Sequence, residues 1–405
     1  MTYPNMVKLR QRFTTERIGD PAAETAKRIE ALGLLDCIGC GDRIAVTAGS
    51  RGIDAIADIL RSVVDALKRK GAEPFIVPAM GSHGGGTAEG QLDMLASLGI
   101  TEETTGAPVV SSIETVELGT TSSGVPVCID RNARDADGIV VVNRIKLHTA
   151  FHGRVESGLC KMVAVGLGKK CGAETMHRMG LGETIPEAFR LVREKAHLLF
   201  GVALLENARD RILDIAVVPP EKFEETDERF LARSREIVPR IPVSPFDILI
   251  VDEMGKNISG TGMDTNVVGF WRRFGGEKDP DYTTLIVRNL TPESHGNAMG
   301  IGLADLTTRR LVDSIDMNAT YMNAMTSQWS MGRIPITLED DRACIDAALD
   351  RHGRSDARIV RIKNTLDLET IAVSENLLPA VEVRPDLVKM SDAEPMAFDG
   401  EGYLV

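Results

Sequence analysis

Aromatic side chains are scarce in this 405-residue sequence, at 4% of residues with two tryptophans and four tyrosines. Stacking surfaces for single-stranded nucleic acid are correspondingly few. Basic residues are outnumbered, 47 against 59 acidic, and the net charge of −12 argues against a broad phosphate-binding face. A local basic pocket is still compatible with that balance. No uninterrupted apolar run approaches the roughly 20 residues that cross a bilayer, and residues 1–12 lack the hydrophobic centre of a secretion signal. The expectation is a cytoplasmic protein without membrane or nucleic-acid partners. Six cysteines are too sparse for a disulfide scaffold, and a reducing compartment would keep them as thiols. Cys37 and Cys40 form a single C-x-x-C pair with no second pair to complete a zinc site, so an ordinary loop is expected there.

What the sequence does have is enough apolar material, 43%, for sizeable cores, and a length suited to about two or three domains. Asp20-Pro21 reads as a helix start, with the aspartate as cap and the proline at the first helical position. Short apolar runs at 43–46, 74–78, 125–129 and 138–142 alternate with helical periodicity at 53–70 and 87–98. Strand, helix, strand is the unit of a parallel sheet. A helix at about 186–199, strands near Val202 and Ile215, and a charged helix at 220–237 continue the pattern.

The segment Pro239-Arg-Ile-Pro-Val-Ser-Pro245 stops a helix and suits a linker. Beyond it, 246–252 restarts the pattern as a strand leading into a glycine-rich loop at 255–262. Strands are expected at 284–287 and 359–362 with a helix at 339–351 between them, while 318–332 has no clear period. The expected fold is therefore two α/β domains with mainly parallel sheets, 1–238 and 246–405, joined by the linker 239–245, with an active-site cleft between them.

In open parallel sheets, ligands collect beyond the carboxyl ends of strands, so the loops after strands are the first place to look. Three are unusual: Thr47-Ala-Gly-Ser-Arg51-Gly, Met80-Gly-Ser-His83-Gly84-Gly85-Gly86, and Asn143-Arg-Ile-Lys-Leu-His148. Arg51 offers planar donors to a carboxylate or phosphate. The glycines beside His83 permit close approach of a ligand to the backbone. From Ile145 to Lys161 the chain crowds two histidines, three cations and an acid into 17 residues, which suits a site better than a linker. Gly166, Gly168 and Gly172 then argue against one continuous helix, so the chain could fold back and bring His177 near Lys161. His83, His148 and His177 would converge with one lysine, in a spacing that matches no zinc signature. The residues alone indicate a metal or acid/base site with an anion-binding wall. They leave open a metal-dependent hydrolase or lyase, and a non-catalytic nucleotide-binding protein.

Gly-Ser-His83, the strand Ile139-Val-Val-Val running on to His148, Ser157-Gly-Leu-Cys-Lys161, and His177 sixteen positions after that lysine together resemble the nickel-dependent lactate racemase family. The resemblance implies an isomerase, a racemase or epimerase of 2-hydroxy acids, with a covalently attached nickel-pincer nucleotide. It implies that Lys161 carries the cofactor through a thioamide link and that His177 ligates nickel, with Gly84 and Gly85 at the cofactor. His83 and His148 would act as acid and base on opposite faces of the substrate. Arg51 would contact the substrate carboxylate or the cofactor phosphate. Lys256, Asn266 and Arg272 would hold substrate from the second domain, and cofactor-maturation enzymes would be partners. The His148-to-Lys161 spacing is longer than in the lactate enzyme, and the acidic residue expected near Arg51 is missing. Both differences imply a longer or additionally charged substrate, with His152 and Arg154 holding its second polar group.

Overall fold

The computed structural model describes residues 3–325 and 327–405, with the side chain of His177 also outside the described set. The first strand, β1 (Asn5–Gln11), alternates inward and outward residues, burying Val7, Leu9 and Gln11. It does not join the domain that follows it. Instead the chain divides into a unit spanning Thr14–Val238 and a second unit made of Pro239–Val405 together with residues through Phe13. The partition thus differs from the expected one at the start of the chain. The proline-rich segment also belongs to the second unit, whose core takes up Ile241 and Val243.

The Thr14–Val238 unit opens with the helix Pro21–Ala31, where Asp20 accepts the Ala23 amide at 2.9 Å and Pro21 occupies the first turn. Its sheet contains β2 (Arg43–Ala48), β3 (Glu73–Pro78), β6 (Gly138–Arg144), β7 (Leu198–Glu206) and β8 (Ile212–Val218), in the order β3-β2-β6-β7-β8. The first four are parallel and β8 is antiparallel. A separate antiparallel pair, β4 (Thr115–Thr120) and β5 (Pro126–Asp130), flanks it. Helices cover the sheet because each has an apolar stripe. Ile56–Arg69 buries Ile59, Leu60, Val63, Val64 and Leu67, each worth about 1.5–3 kcal/mol of transfer free energy. The expected helix at 186–199 instead runs Leu181–Lys195, with Pro186 in its second turn, and β7 takes the remainder. No helix among the described residues is long and apolar enough to cross a membrane.

Past β6 the glycine-punctuated segment is not one continuous helix, as expected. A single turn Leu159–Lys161 continues into a π-helical turn Met162–Gly166, and a helix Lys169–Met179 follows after a break at Leu167 and Gly168. Cys128 of β5 and Cys171 of that helix are joined as a disulfide, which corrects the all-thiol expectation. Cys37 and Cys40 are exposed thiols in a loop.

The second unit is built on one sheet. β9 (Ile248–Met254), β10 (Thr284–Leu290), β11 (Leu306–Thr308), β12 (Ile336–Leu338), β13 (Ile359–Ile362), β14 (Thr370–Ser374) and β15 (Leu387–Lys389) combine with β1 in the order β12-β11-β10-β9-β13-β14-β1-β15. The half from β12 to β13 is parallel, and the rest is antiparallel, with Val7 opposite Val373. The unassigned stretch forms a helix, Met317–Met325, and a 3₁₀ turn, Trp329–Gly332. Its apolar residues Tyr321, Met322, Met325 and Trp329 are exposed, which is why no inward periodicity marks it.

Candidate active site at the carboxyl ends of the parallel strands

The three unusual loops leave the same end of the sheet, after β2, β3 and β6. In the first, the hydroxyl of Ser50 hydrogen-bonds Nδ1 of His83 in the second, so the two loops are tied through the imidazole. Arg51, the next residue, has its guanidinium held below its ordinary value, first by desolvation and then by the positive charge of Arg144. Arg144 is itself paired with the carboxylate of Glu206 at the end of β7.

The glycine run after His83 has a backbone reason. A Cβ on Gly84 would lie 2.5 Å from the carbonyl of Gly90, so only glycine lets the turn meet the helix Ala88–Ser97 so closely. Gly85, at φ +68, faces open space. Beneath this loop lies a buried polar chain. The Lys169 ammonium donates to the carbonyl of Pro78 at 2.5 Å and to Oε1 of Gln91 at 3.0 Å, and pairs with Asp130 at 3.2 Å. Gln91 in turn donates to the carbonyl of Gly81 at 3.1 Å. The end of β3 and the start of the His83 loop are therefore fixed from below.

The third loop closes on a single carboxylate. Glu156, with no side-chain exposure, accepts the amide of His148 at 2.8 Å, the amide of Gly153 at 3.2 Å, Nδ1 of His152 at 3.3 Å and Nη2 of Arg235 at 2.7 Å. Burial alone would raise its pKa, but these hydrogen bonds outweigh it and hold the carboxyl below its usual range. The Ala150 amide donates to Nδ1 of His148 at 3.0 Å, and the His148 ring packs on Phe151 with centroids 4.5 Å apart.

Lys161 lies over the same phenyl ring, with Nζ 5.6 Å from the Phe151 centroid. Its ammonium is pushed down to about 8, chiefly by burial and then by Arg51, with Glu156 acting in the opposite direction. The turn that presents it is anchored by Asp227, which accepts the amides of Leu159 and Cys160 at 2.9 Å each. Gly158 is required beside it, since a Cβ there would lie 2.3 Å from the Asp227 carboxylate. Burial raises the Asp227 carboxyl to about 7 despite the two amides.

The structure therefore places His83 on Ser50, the neighbour of Arg51, and His148 and Lys161 on either contact of Phe151, with Arg51 close enough to Lys161 to act on its charge. His177 lies on the helix Lys169–Met179, but its side chain is outside the described residues, and so is its convergence with the other histidines. Among the described residues no group of three or more His, Cys, Asp or Glu is arranged to hold a metal ion. His152 is engaged with Glu156, and the exposed Arg154 pairs with Glu228 at 2.6 Å. In the second unit, Lys256 and Asn266 follow β9. Lys256 donates to the carbonyl of Gly260 at 2.6 Å and to Asn323 at 3.0 Å, and Asn266 to Asp264 at 2.9 Å. Arg272 is committed to its own unit: it donates to the carbonyls of Leu303 and Thr283, pairs with Asp305 at 2.9 Å, and stacks on Trp271 and Tyr282. Sequence reading passed over Glu156, Asp227 and Arg235 as individual residues. The acid among the crowded 17 was the only signal for any of them.

Residues 40–196, which contain all three loops and Lys161, match the family model of the lactate racemase N-terminal domain. This segment belongs to that family. No curated protein matches the chain. Among solved structures, the lactate racemase apoprotein from Thermoanaerobacterium thermosaccharolyticum is similar at 14% identity and a TM-score of 0.54, over 88% of this chain and 94% of that one. That likeness is one of fold. A crystal structure of a protein from Thermotoga maritima is also similar, at 15% identity and a TM-score of 0.48, over 66% of this chain and 69% of that one. The matched segment thus covers the loops of Arg51, His83 and His148 together with Lys161, and the family supports a racemase-type function.

Proposed function

We propose that the protein is an isomerase that interconverts the configurations of a 2-hydroxy acid, working with a nickel-pincer nucleotide installed by dedicated maturation enzymes. The observation that carries this reading is the placement of Lys161 within a lactate racemase N-terminal domain: its amine, at about 8, is easier to deprotonate than an ordinary lysine, and it shares a ring with His148. A neutral amine is what acylation requires.

The residues present fit the cofactor. Lys161 would carry it, Gly85 leaves open space at the turn after His83, and His177 would ligate the metal, an imidazole being a suitable partner for nickel beside sulfur donors. When bound, the nucleotide supplies a reversible hydride acceptor. The protein's own task is to bind the acid and move its hydroxyl proton. Arg51 is the candidate for the substrate carboxylate or the cofactor phosphate, and Lys256 and Asn266 are candidates for further substrate contacts, with Arg272 supporting its own unit's backbone. His83 and His148 each have a hydrogen bond at Nδ1, and Nε2 is the candidate atom for proton exchange. Two such imidazoles make removal and return of the proton equivalent for the two configurations.

The test is to produce the chain together with the cofactor-building enzymes, then measure interconversion of a panel of 2-hydroxy acids by chiral chromatography and the mass of the Lys161 peptide. Activity that depends on His83, His148 and a modified Lys161 supports the reading. Fully active protein with an unmodified Lys161 overturns it.

A further inference from the structure

We propose that Glu156 is the positioning residue of this site, its buried carboxylate holding the loop that carries His148 and Phe151 in register with Lys161. The proposal rests on the functional reading above in one respect, that His148 and Lys161 serve the same reaction.

The argument starts from what one carboxylate can accept. Two ionised oxygens offer about four acceptor positions, and here they meet donors from His148, Gly153, His152 and Arg235. Two of those donors are main-chain amides at 148 and 153, which bracket Ala150 and Phe151. Both ends of the short loop are therefore pinned to one point. Between the pins, the Phe151 ring contacts the His148 ring and lies below the Lys161 ammonium. A displacement at Glu156 would reach both.

A second observation comes from the helix Phe223–Ile237. Its Asp227 holds the amides of Leu159 and Cys160, and its Arg235 holds Glu156 and the carbonyl of Gly153 at 3.1 Å. Positions 227 and 235 are about two turns apart and share a face. One rigid element thus grips the chain at both ends of the segment from Glu156 to Lys161. Arg235 also neutralises the carboxylate, which a buried charge needs. Arg51 and Glu156 act on the Lys161 ammonium in opposite directions, so Glu156 acts on the amine through charge as well as through the loop.

The experiment uses the full-length chain made without cofactor-building enzymes, comparing wild type, Glu156→Gln, Arg235→Gln and the surface control Glu236→Gln. Hydrogen exchange is read at the amides of 148 and 153, and acylation of Lys161 by an N-hydroxysuccinimide ester is followed against pH by peptide mass spectrometry. In Glu156→Gln we expect exchange at both amides to quicken by about tenfold or more, and the acylation midpoint to fall below the wild-type value of about 8. A purely structural filler would leave that midpoint in place. If Glu156→Gln does not fold, Arg235→Gln, whose side chain is 42% exposed, decides: faster exchange at 148 and 153 supports the proposal, and unchanged exchange overturns it. Unchanged exchange and midpoint in folded Glu156→Gln also overturn it. In cofactor-loaded protein, Glu156→Gln should lower kcat far more than it changes KM. Absence of racemisation by the wild type would refute the functional reading, while the exchange and acylation data still decide the role of Glu156.

Discussion

Lys169 and Asp130 form an ion pair sealed from solvent, 3.2 Å apart with side-chain exposures of 1% and 0%. Burial pushes both toward neutrality, the lysine downward and the aspartate upward, and each partner opposes that for the other. Lys169→Met would strand the aspartate. We expect a loss of about 3–5 kcal/mol in urea unfolding, much of it recovered in the double variant Asp130→Asn with Lys169→Met. An additive double variant would refute the coupling.

Asp227 gives a pH dependence with a definite sign. Its carboxyl rises from 3.8 to about 7 in the folded protein, so the native state binds more protons than the unfolded chain between those values. Its contribution to stability is full below the lower value and is lost as pH rises through about 7. The shift corresponds to about 4 kcal/mol. Stability of the wild type relative to Asp227→Asn should therefore decline by about that amount from pH 4 to pH 7.5. Urea midpoints at a series of pH values measure it, and a constant difference would contradict it.

Arg51 lowers the Lys161 ammonium through repulsion, second only to burial. In Arg51→Met the acylation midpoint of Lys161 should move up from about 8, with a few-fold slower labelling at pH 7 because less amine is neutral. Labelling at several pH values, resolved by peptide mass, checks this. A downward movement would show that Arg51 does not face the amine.

The disulfide between Cys128 and Cys171 closes a loop with a sequence separation of 43. Chain-entropy reasoning gives it about 4 kcal/mol. Denatured protein without reductant should expose four thiols, those of Cys37, Cys40, Cys160 and Cys344. Reduction should lower the urea midpoint. Six thiols in unreduced protein would remove the bond from the account.

Much of the first unit was legible because its strands are continuous apolar runs and its helices begin and end on caps and glycines. Asp20-Pro21 is a local signal, and the helix start it predicts is the one observed. The loops that carry Arg51, His83 and His148, and the segment that ends at Lys161, stand out in the sequence because unusual residues follow strands there. Glu156, Asp227 and Arg235 do not, for a physical reason. Asp227 and Arg235 lie in a charged helix whose pattern reads as a solvated face, and their function is to receive or supply hydrogen bonds across 67 to 79 positions of chain. Local periodicity carries no such information. The same holds for β1, whose partner residues, Thr370 to Ser374, come more than 350 positions later. The exposed methionines and Tyr321 of Met317–Met325 hid that helix by breaking the inward pattern.

The pairing of β1 with β14 has a consequence for biogenesis. As the polypeptide emerges from the ribosome, Thr14–Val238 has all its own strands at hand and can assemble at once, whereas Asn5–Gln11 must wait until the segment around Val373 has been synthesised. Deleting Asn5–Gln11 would accordingly harm the half of the protein made last and spare the half made first.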